Sequence, residues 1–190
     1  MDTLSSICLG IGLSAACGFR VFVPLLFMSI ASLTGHMTLS SGFDWIGTYP
    51  ALAAFGVATV LEVAGYYIPW IDNLLDTIAT PSAVVAGTIV MASAVSEMSP
   101  LMQWSLAIVA GGGTSAMVQG VTSLTRGASS LTTGGLGNPV VSTMEMGGAT
   151  VLSVLAVALP VFAGMVVIGV LVFAARKLFG KRHKTKVRSY

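Results

Sequence analysis

The sequence predicts an all-α, polytopic membrane bundle, and three observations carry that prediction. Of the 190 residues, 55% are hydrophobic and 8% are charged, with a mean hydropathy of +0.90, whereas soluble domains carry about 25% charged residues. Several apolar stretches reach the ~20 residues needed to cross hydrocarbon. Finally, Ala58-Thr-Val-Leu-Glu-Val-Ala-Gly-Tyr-Tyr-Ile-Pro69 recurs in thinned form as Ala149-Thr-Val-Leu-Ser-Val-Leu-Ala-Val-Ala-Leu-Pro160, which marks an internal repeat. Lipid tails give helices no hydrophobic reason to associate, so packing must come from close backbone approach. The 22 glycines suit that need. One transmembrane domain over residues 1–175, followed by a basic tail over 176–190, is expected.

The first apolar stretch, Leu4 to Leu33, is long for one span and is interrupted by Gly18, Arg20 and Pro24. A broken or re-entrant helix is expected there. A polar stretch leads to a second span, Ala51 to Ile68, which Pro69 ends. In Trp70 to Thr80, residues Ile71, Leu74, Leu75 and Ile78 recur at i, i+3, i+4 and i+7, the pattern of an amphipathic helix lying at the interface. Asp72 and Asp76 form an acidic pair on its polar side, and Trp70 is its headgroup-level anchor. A third span, Ser82 to Ala94, ends near Glu97. A fourth runs from Leu101 to Leu124. Arg126 to Pro139, rich in Gly, Ser and Thr, reads as a loop. The last stretch, Val140 to Ala175, carries Pro160 in mid-run and reads as one Pro-kinked helix. The count is five membrane segments, or six if the last stretch crosses twice.

The repeat would comprise copy A at about 4–97 and copy B at about 101–175. Gly12-Leu-Ser-Ala15 then matches Gly113-Thr-Ser-Ala116, as Pro69 matches Pro160. Three elements separate each pair, so the copies are expected to run in opposite directions, an inverted-topology repeat whose site lies where they meet. Seven of the nine Lys and Arg residues crowd into the tail (Arg176, Lys177, Lys181, Arg182, Lys184, Lys186 and Arg188), and only Arg20 and Arg126 lie elsewhere. The positive-inside rule then puts the C-terminus in the cytoplasm. Five crossings place the N-terminus outside, and six place it in the cytoplasm. Topology anchoring accounts for the basic tail, so no nucleic-acid partner is expected.

Chemistry is sparse. Cys8 and Cys17 both fall in the first stretch, which excludes a disulfide framework or a zinc motif, and His36 and His183 are isolated. Without metal-ligand spacing or a nucleophile–base arrangement, neither an enzyme nor a cofactor is expected. Asp2 stands where a signal peptide would carry basic residues, so the first segment is expected to be retained. A charge at the centre of a membrane helix costs ~2.5–3.5 kcal/mol, which makes such a residue a site hypothesis by default. Arg20, Glu62 and Glu145 qualify. Glu62 would bind a cation, carry a proton, or pair with Arg20 to hold two helices together. Glu145 belongs to a site or snorkels to the interface. Arg126 with Asn138 offers a guanidinium and loop amides to an anionic head group. Asp72 with Asp76 is a solvated acidic face, or a cation site given a third ligand.

Gly18-Phe-Arg-Val-Phe-Val-Pro24, Leu61-Glu-Val-Ala-Gly-Tyr-Tyr-Ile-Pro-Trp-Ile-Asp72 with Asp76 and Pro81, and Arg126 through Asn138-Pro139 to Glu145 together resemble a bacterial integral-membrane family, domain-of-unknown-function family 4126. The resemblance spans most of residues 10 to 150. It implies a bacterial cytoplasmic (inner) membrane location, but the family has no established activity and so gives no residue a role. The leading expectation is a small transporter or flippase-like protein moving a small or amphiphilic solute. Glu62 would be its ion or proton site, Arg20 and Arg126 the partners for an anionic group, Asn138 and Glu145 further substrate- or ion-binding residues, and the breaks at Pro24, Pro69 and Pro160 its hinges. The alternative is a non-transporting scaffold or assembly subunit with Arg20–Glu62 as structural glue. Expected partners are membrane lipids, a small-molecule or lipid substrate, and a second copy in a homodimer.

Overall fold

The computed structural model describes residues 2–96 and 98–186, with side chains at all of these except 69, 70, 72, 73 and 178–186. The expectations placed on Trp70, Asp72, Glu97, His183 and the tail cations from Lys181 onward therefore fall outside what is described. The described elements are helices: α1 (Thr3–Cys17), α2 (Phe22–Leu33), α3 (Tyr49–Gly65), α4 (Pro69–Ala94), α5 (Pro100–Leu106), α6 (Gly113–Thr133), α7 (Asn138–Ala158) and α8 (Pro160–Lys186). A π-helical segment, Ala107–Gly112, joins α5 to α6 in one rod, and a 3-10 turn, Asp44–Gly47, precedes α3. Four stretches are long and apolar enough to cross a membrane: Leu74–Ala94, Pro100–Thr133, Asn138–Ala158 and Pro160–Lys177; α1, α2 and α3 are apolar but shorter.

Proline sets many of the helix starts. It occupies the first or second position of α3, α4, α5 and α7, where its missing N–H would have had no helical partner anyway. Thr48 completes the start of α3 by accepting a hydrogen bond from the Ala51 amide at 3.3 Å. The first apolar stretch does break where expected. α1 stops at Gly18, and the chain reverses through Phe19–Val21 into α2.

Two boundaries depart from expectation, and a third, the kink at Pro160, falls where expected. Residues 70–80 are not a separate interfacial helix, because α4 runs unbroken through Pro81 to Ala94; inside a packed bundle a proline within a helix is tolerated, as its neighbours hold the rod. Nor is 126–139 a loop, since α6 persists to Thr133. The hydroxyls of Thr132 and Thr133 donate to the carbonyls of Ala128 (2.8 Å) and Ser129 (2.7 Å), so hydroxyl-rich sequence is absorbed by the helix itself. The turn shrinks to 134–137, with Gly134 at φ 63° and Gly135 at φ 89°. The last stretch breaks at Leu159 (φ −137°, ψ 66°), yet Leu159 N donates to Leu155 O and Ala163 N donates to Leu159 O across the break.

These backbone positions give opposite expectations for two alanine substitutions. Gly135→Ala forces a side chain into left-handed backbone and should lower stability by about 1–2 kcal/mol. Gly113 is helical, and a methyl there would meet nothing within 4 Å, so Gly113→Ala should raise stability by about 0.4–1 kcal/mol. Thermal unfolding of both variants in one detergent checks the pair, and equal shifts would refute it.

α1 is the hub. It runs antiparallel to α4, with Gly10 beside Ala94 and Ser14 Oγ donating to Gly87 O at 2.9 Å. α4 in turn runs antiparallel to the α5–α6 rod, where Gln103 Nε2 donates to Ala92 O (2.7 Å) and Val95 O (2.9 Å) and Gly111 presses on Gly87. α1 and α6 are thus parallel, joined by Ser115 Oγ donating to Ser14 O at 2.8 Å. α7 and α8 follow one another antiparallel to α1, Gly148 facing Phe19, Ala156 facing Gly12, and Gly164 facing Cys8. α2 returns against α1 and α3 against α2, so six helical legs alternate in direction. α1 begins and α8 ends at the same end of the bundle. These contacts between small residues and serine hydroxyls are the glue expected where no hydrophobic drive acts.

This ordering bears on the repeat. The inverted repeat pairs α1 with the start of α6 and α3 with α7. The first pair runs in the same sense and the second in opposite senses, so no single two-fold axis relates both. The reversal at Gly18–Val21 is the cause, because it adds a leg within the first apolar stretch.

Candidate functional site

The tip of the α1–α2 hairpin delivers Arg20 into the interior, 1% exposed. Its Nη2 donates to Ser142 O at 3.0 Å and to Ser142 Oγ on α7, and lies 3.3 Å from Glu145 Oε2. Glu145 sits one turn beyond Ser142, so both face the hairpin. Its carboxylate, 5% exposed, also accepts from Arg126 of α6, whose Nε lies 3.0 Å from Oε1 and whose Nη2 bonds Oε2 in a two-pronged pair. Arg126 Nη1 reaches Asp76 Oδ1 of α4 at 3.6 Å. The Tyr66 ring, at the end of α3, lies 3.9 Å from the Arg20 guanidinium carbon and 4.1 Å from that of Arg126, within cation–π range. Four helices and the hairpin tip thus meet at one group of charges.

Glu62 stands apart from that group. Its Oε1 accepts from Val21 N at 2.9 Å and its Oε2 from Phe22 N at 3.2 Å. The carboxylate therefore serves two amides at the start of α2, where the helix dipole favours negative charge. Among the described residues it has no ion-pair partner. The expected Arg20–Glu62 pair is not formed: Arg20 turns to Glu145, and Glu62 takes backbone instead of side chain. The two guanidiniums are bonded to Glu145 and Asp76, while Glu62 hydrogen-bonds to backbone and feels the Arg20 charge only at longer range.

In front of Glu62 lies a groove of about 400 Å³ between α3 and α4, floored by Val21 and Phe22 of the hairpin and walled by Ala58, Leu61, Ile71, Leu75 and Ile78. Glu62, Tyr66 and Ala79 are its buried lining residues, and so mark its inner end. A second hollow of about 390 Å³, sharing Val21, Phe22 and Ser82, continues it toward Leu25, Val85 and Ile89.

A family model described as Domain of unknown function (DUF4126) matches residues 7–179. The chain belongs to this family. Among curated proteins and among solved structures, none matches. The matched span of this DUF4126 chain holds every residue of the charge group and of the groove.

The structure brings Arg20, Arg126, Glu145 and Asp76 of the expected residues into one connected group. Asp76 faces Arg126 and not an open acidic surface. Arg126 lies on a helix, 3% exposed, so it offers no loop to a head group. Asn138 begins α7, its Nδ2 donating to Ser130 Oγ at 3.2 Å. Sequence reasoning missed Tyr66 and Ser142. The signal was spacing, since Tyr66 follows Glu62 by four residues and Ser142 precedes Glu145 by three, which on a helix puts each beside its flagged neighbour. Among the described residues no group of three His, Cys, Asp or Glu side chains could hold a metal ion.

Proposed function

We propose that this DUF4126 protein is a small membrane carrier that moves a small or amphiphilic solute, with Glu62 as its proton or cation site. The supporting observation is the placement of Glu62: 8% exposed, at the inner end of a groove, bonded to the first amides of a broken helical element. A carboxylate buried in a helical membrane protein marks an ion path or proton relay by default. Protonation would remove one of its two acceptor oxygens and so loosen the hold of α3 on the hairpin, which couples charge at Glu62 to the position of α2. Binding near broken helices whose N-termini stabilise charge is the usual arrangement in secondary transporters. In this reading the basic tail lies in the cytoplasm of a bacterial cell, and the six alternating legs bring the N-terminus to the same side.

The test is the thermal stability of purified protein in detergent, wild type beside Glu62→Gln, across pH 5–8 and with Na⁺, K⁺ or Mg²⁺. Wild type should shift with pH or cation by linkage. Glu62→Gln, losing one acceptor at a cost of about 1–3 kcal/mol, should fold and lose that response. A variant that responds as wild type does would sink the carrier reading.

A second reading is a non-transporting scaffold, favoured by the connected group Arg20–Glu145–Arg126–Asp76, which ties the hairpin to α4, α6 and α7. A scaffold would lose stability in Glu62→Gln in step with the lost hydrogen bond, would keep the pH response of a structural carboxylate in wild type, and would show no cation response in either form.

A further inference from the structure

We infer that the groove between α3 and α4 takes a lipophilic organic cation, which reaches Glu62 sideways from the bilayer and binds in competition with a proton. The inference rests on the reading of Glu62 as a proton or cation site and adds the class of ligand.

The groove has one chemistry along its walls and another at its end. Ala58, Leu61, Ile71, Leu75 and Ile78 make it apolar, and among the described residues it is lined by neither lysine nor arginine. Among the described residues its polar side chains are the Glu62 carboxylate and the hydroxyls of Tyr66 and Ser82. An anion would have to approach the carboxylate through apolar surface with no cation to meet it. A bare metal ion would need several oxygen ligands to replace its water shell, and the described lining residues supply too few. A weakly hydrated organic cation loses little on leaving water, gains the apolar walls, and ends beside a carboxylate with no ion-pair partner among the described residues. Phe22, on the floor, offers a ring to its charge.

The direction of access follows from exposure. Leu61 and Ile78, on the two walls, remain 65% and 49% exposed on the outer surface of the bundle, where lipid is the solvent. The gap therefore opens to the side, and the second hollow extends it along α2 and α4, long enough for the apolar body of an amphiphile.

The test measures equilibrium binding of tetraphenylphosphonium to the protein in lipid nanodiscs, with tetraphenylborate as an anion of the same shape. One saturable phosphonium per chain is expected at pH 8. Affinity should fall by up to tenfold per pH unit once Glu62 takes up its proton, and the borate should bind no more than it does to empty nanodiscs. Ala58→Phe, which fills the groove and leaves Glu62 in place, should weaken binding at least tenfold. Glu62→Gln should abolish the pH dependence. Equal binding of both ions, or an Ala58→Phe variant that binds like wild type, overturns the inference. If phosphonium does not bind while wild type retains a Glu62-dependent inorganic-cation response in thermal stability, this ligand class falls and the carrier reading stands. If neither binding nor that response exists, both fall.

Discussion

Glu145→Ala is expected to lower stability by about 3–5 kcal/mol, which is the cost of stranding a buried ion-pair partner. The loss is large because Glu145 serves two cations at once: Arg126 through both carboxylate oxygens and Arg20 through Oε2. Without it both guanidiniums remain against Tyr66, with Asp76 beside Arg126 as the nearest described carboxylate to it. At about 2–4 °C per kcal/mol for a chain of this size, the melting temperature should fall by more than about 6 °C. The double variant Arg20→Met with Glu145→Gln, which removes a cation and its anion together, should recover part of the loss. A Glu145→Ala variant that melts within about two degrees of wild type would mean that the group is hydrated and its charges independent.

The second large effect belongs to the contact between α4 and the π-helical segment. A methyl group on Gly111 would sit 2.5 Å from the Gly87 carbonyl oxygen and 2.5 Å from Met91 Cβ, and a backbone oxygen cannot rotate aside as a flexible side chain can. Gly111→Ala should therefore cost about 1–3 kcal/mol, in the range of an overpacked core. Gly120→Ala on the same rod, where a methyl meets nothing within 4 Å, should be neutral or slightly stabilising. The strain should travel as well. Ser115, one turn on, holds both Gly111 O and Ser14 O, so parting α4 from the rod shifts α1 and with it the hairpin that carries Arg20. Comparing the two variants by thermal unfolding checks this, and equal melting temperatures would refute it.

What the sequence made legible follows from the cost of polar groups in hydrocarbon. Arg20, Glu62 and Glu145 stood out because a charge in an apolar run needs a reason, whatever the fold. Their partners did not, because pairing depends on which helices meet. Glu62 is 42 residues from Arg20 in the chain and Glu145 is 125, yet the more distant one makes the pair, since α2 and α7 lie side by side. The reversal after Gly18 was legible as a break but not as a change of direction, and that missing leg undid the repeat geometry. Residues 126–133 read as loop because Ser, Thr and Gly usually compete with a helix in water. Within the bundle those hydroxyls bond back to the helix, and only the positive φ at Gly134 and Gly135 ends it. Tyr66 escaped because an aromatic near the end of a span resembles a belt residue.

The burial of Arg20 and Arg126 also affects how the chain is threaded into a membrane. Both are used up inside the folded protein, so neither can act as a sided anchor once the bundle has formed. Every other Lys and Arg lies beyond residue 175. If the positive-inside rule governs this chain, the six legs emerge before the charges expected to orient them, and late charges are able to reverse a topology.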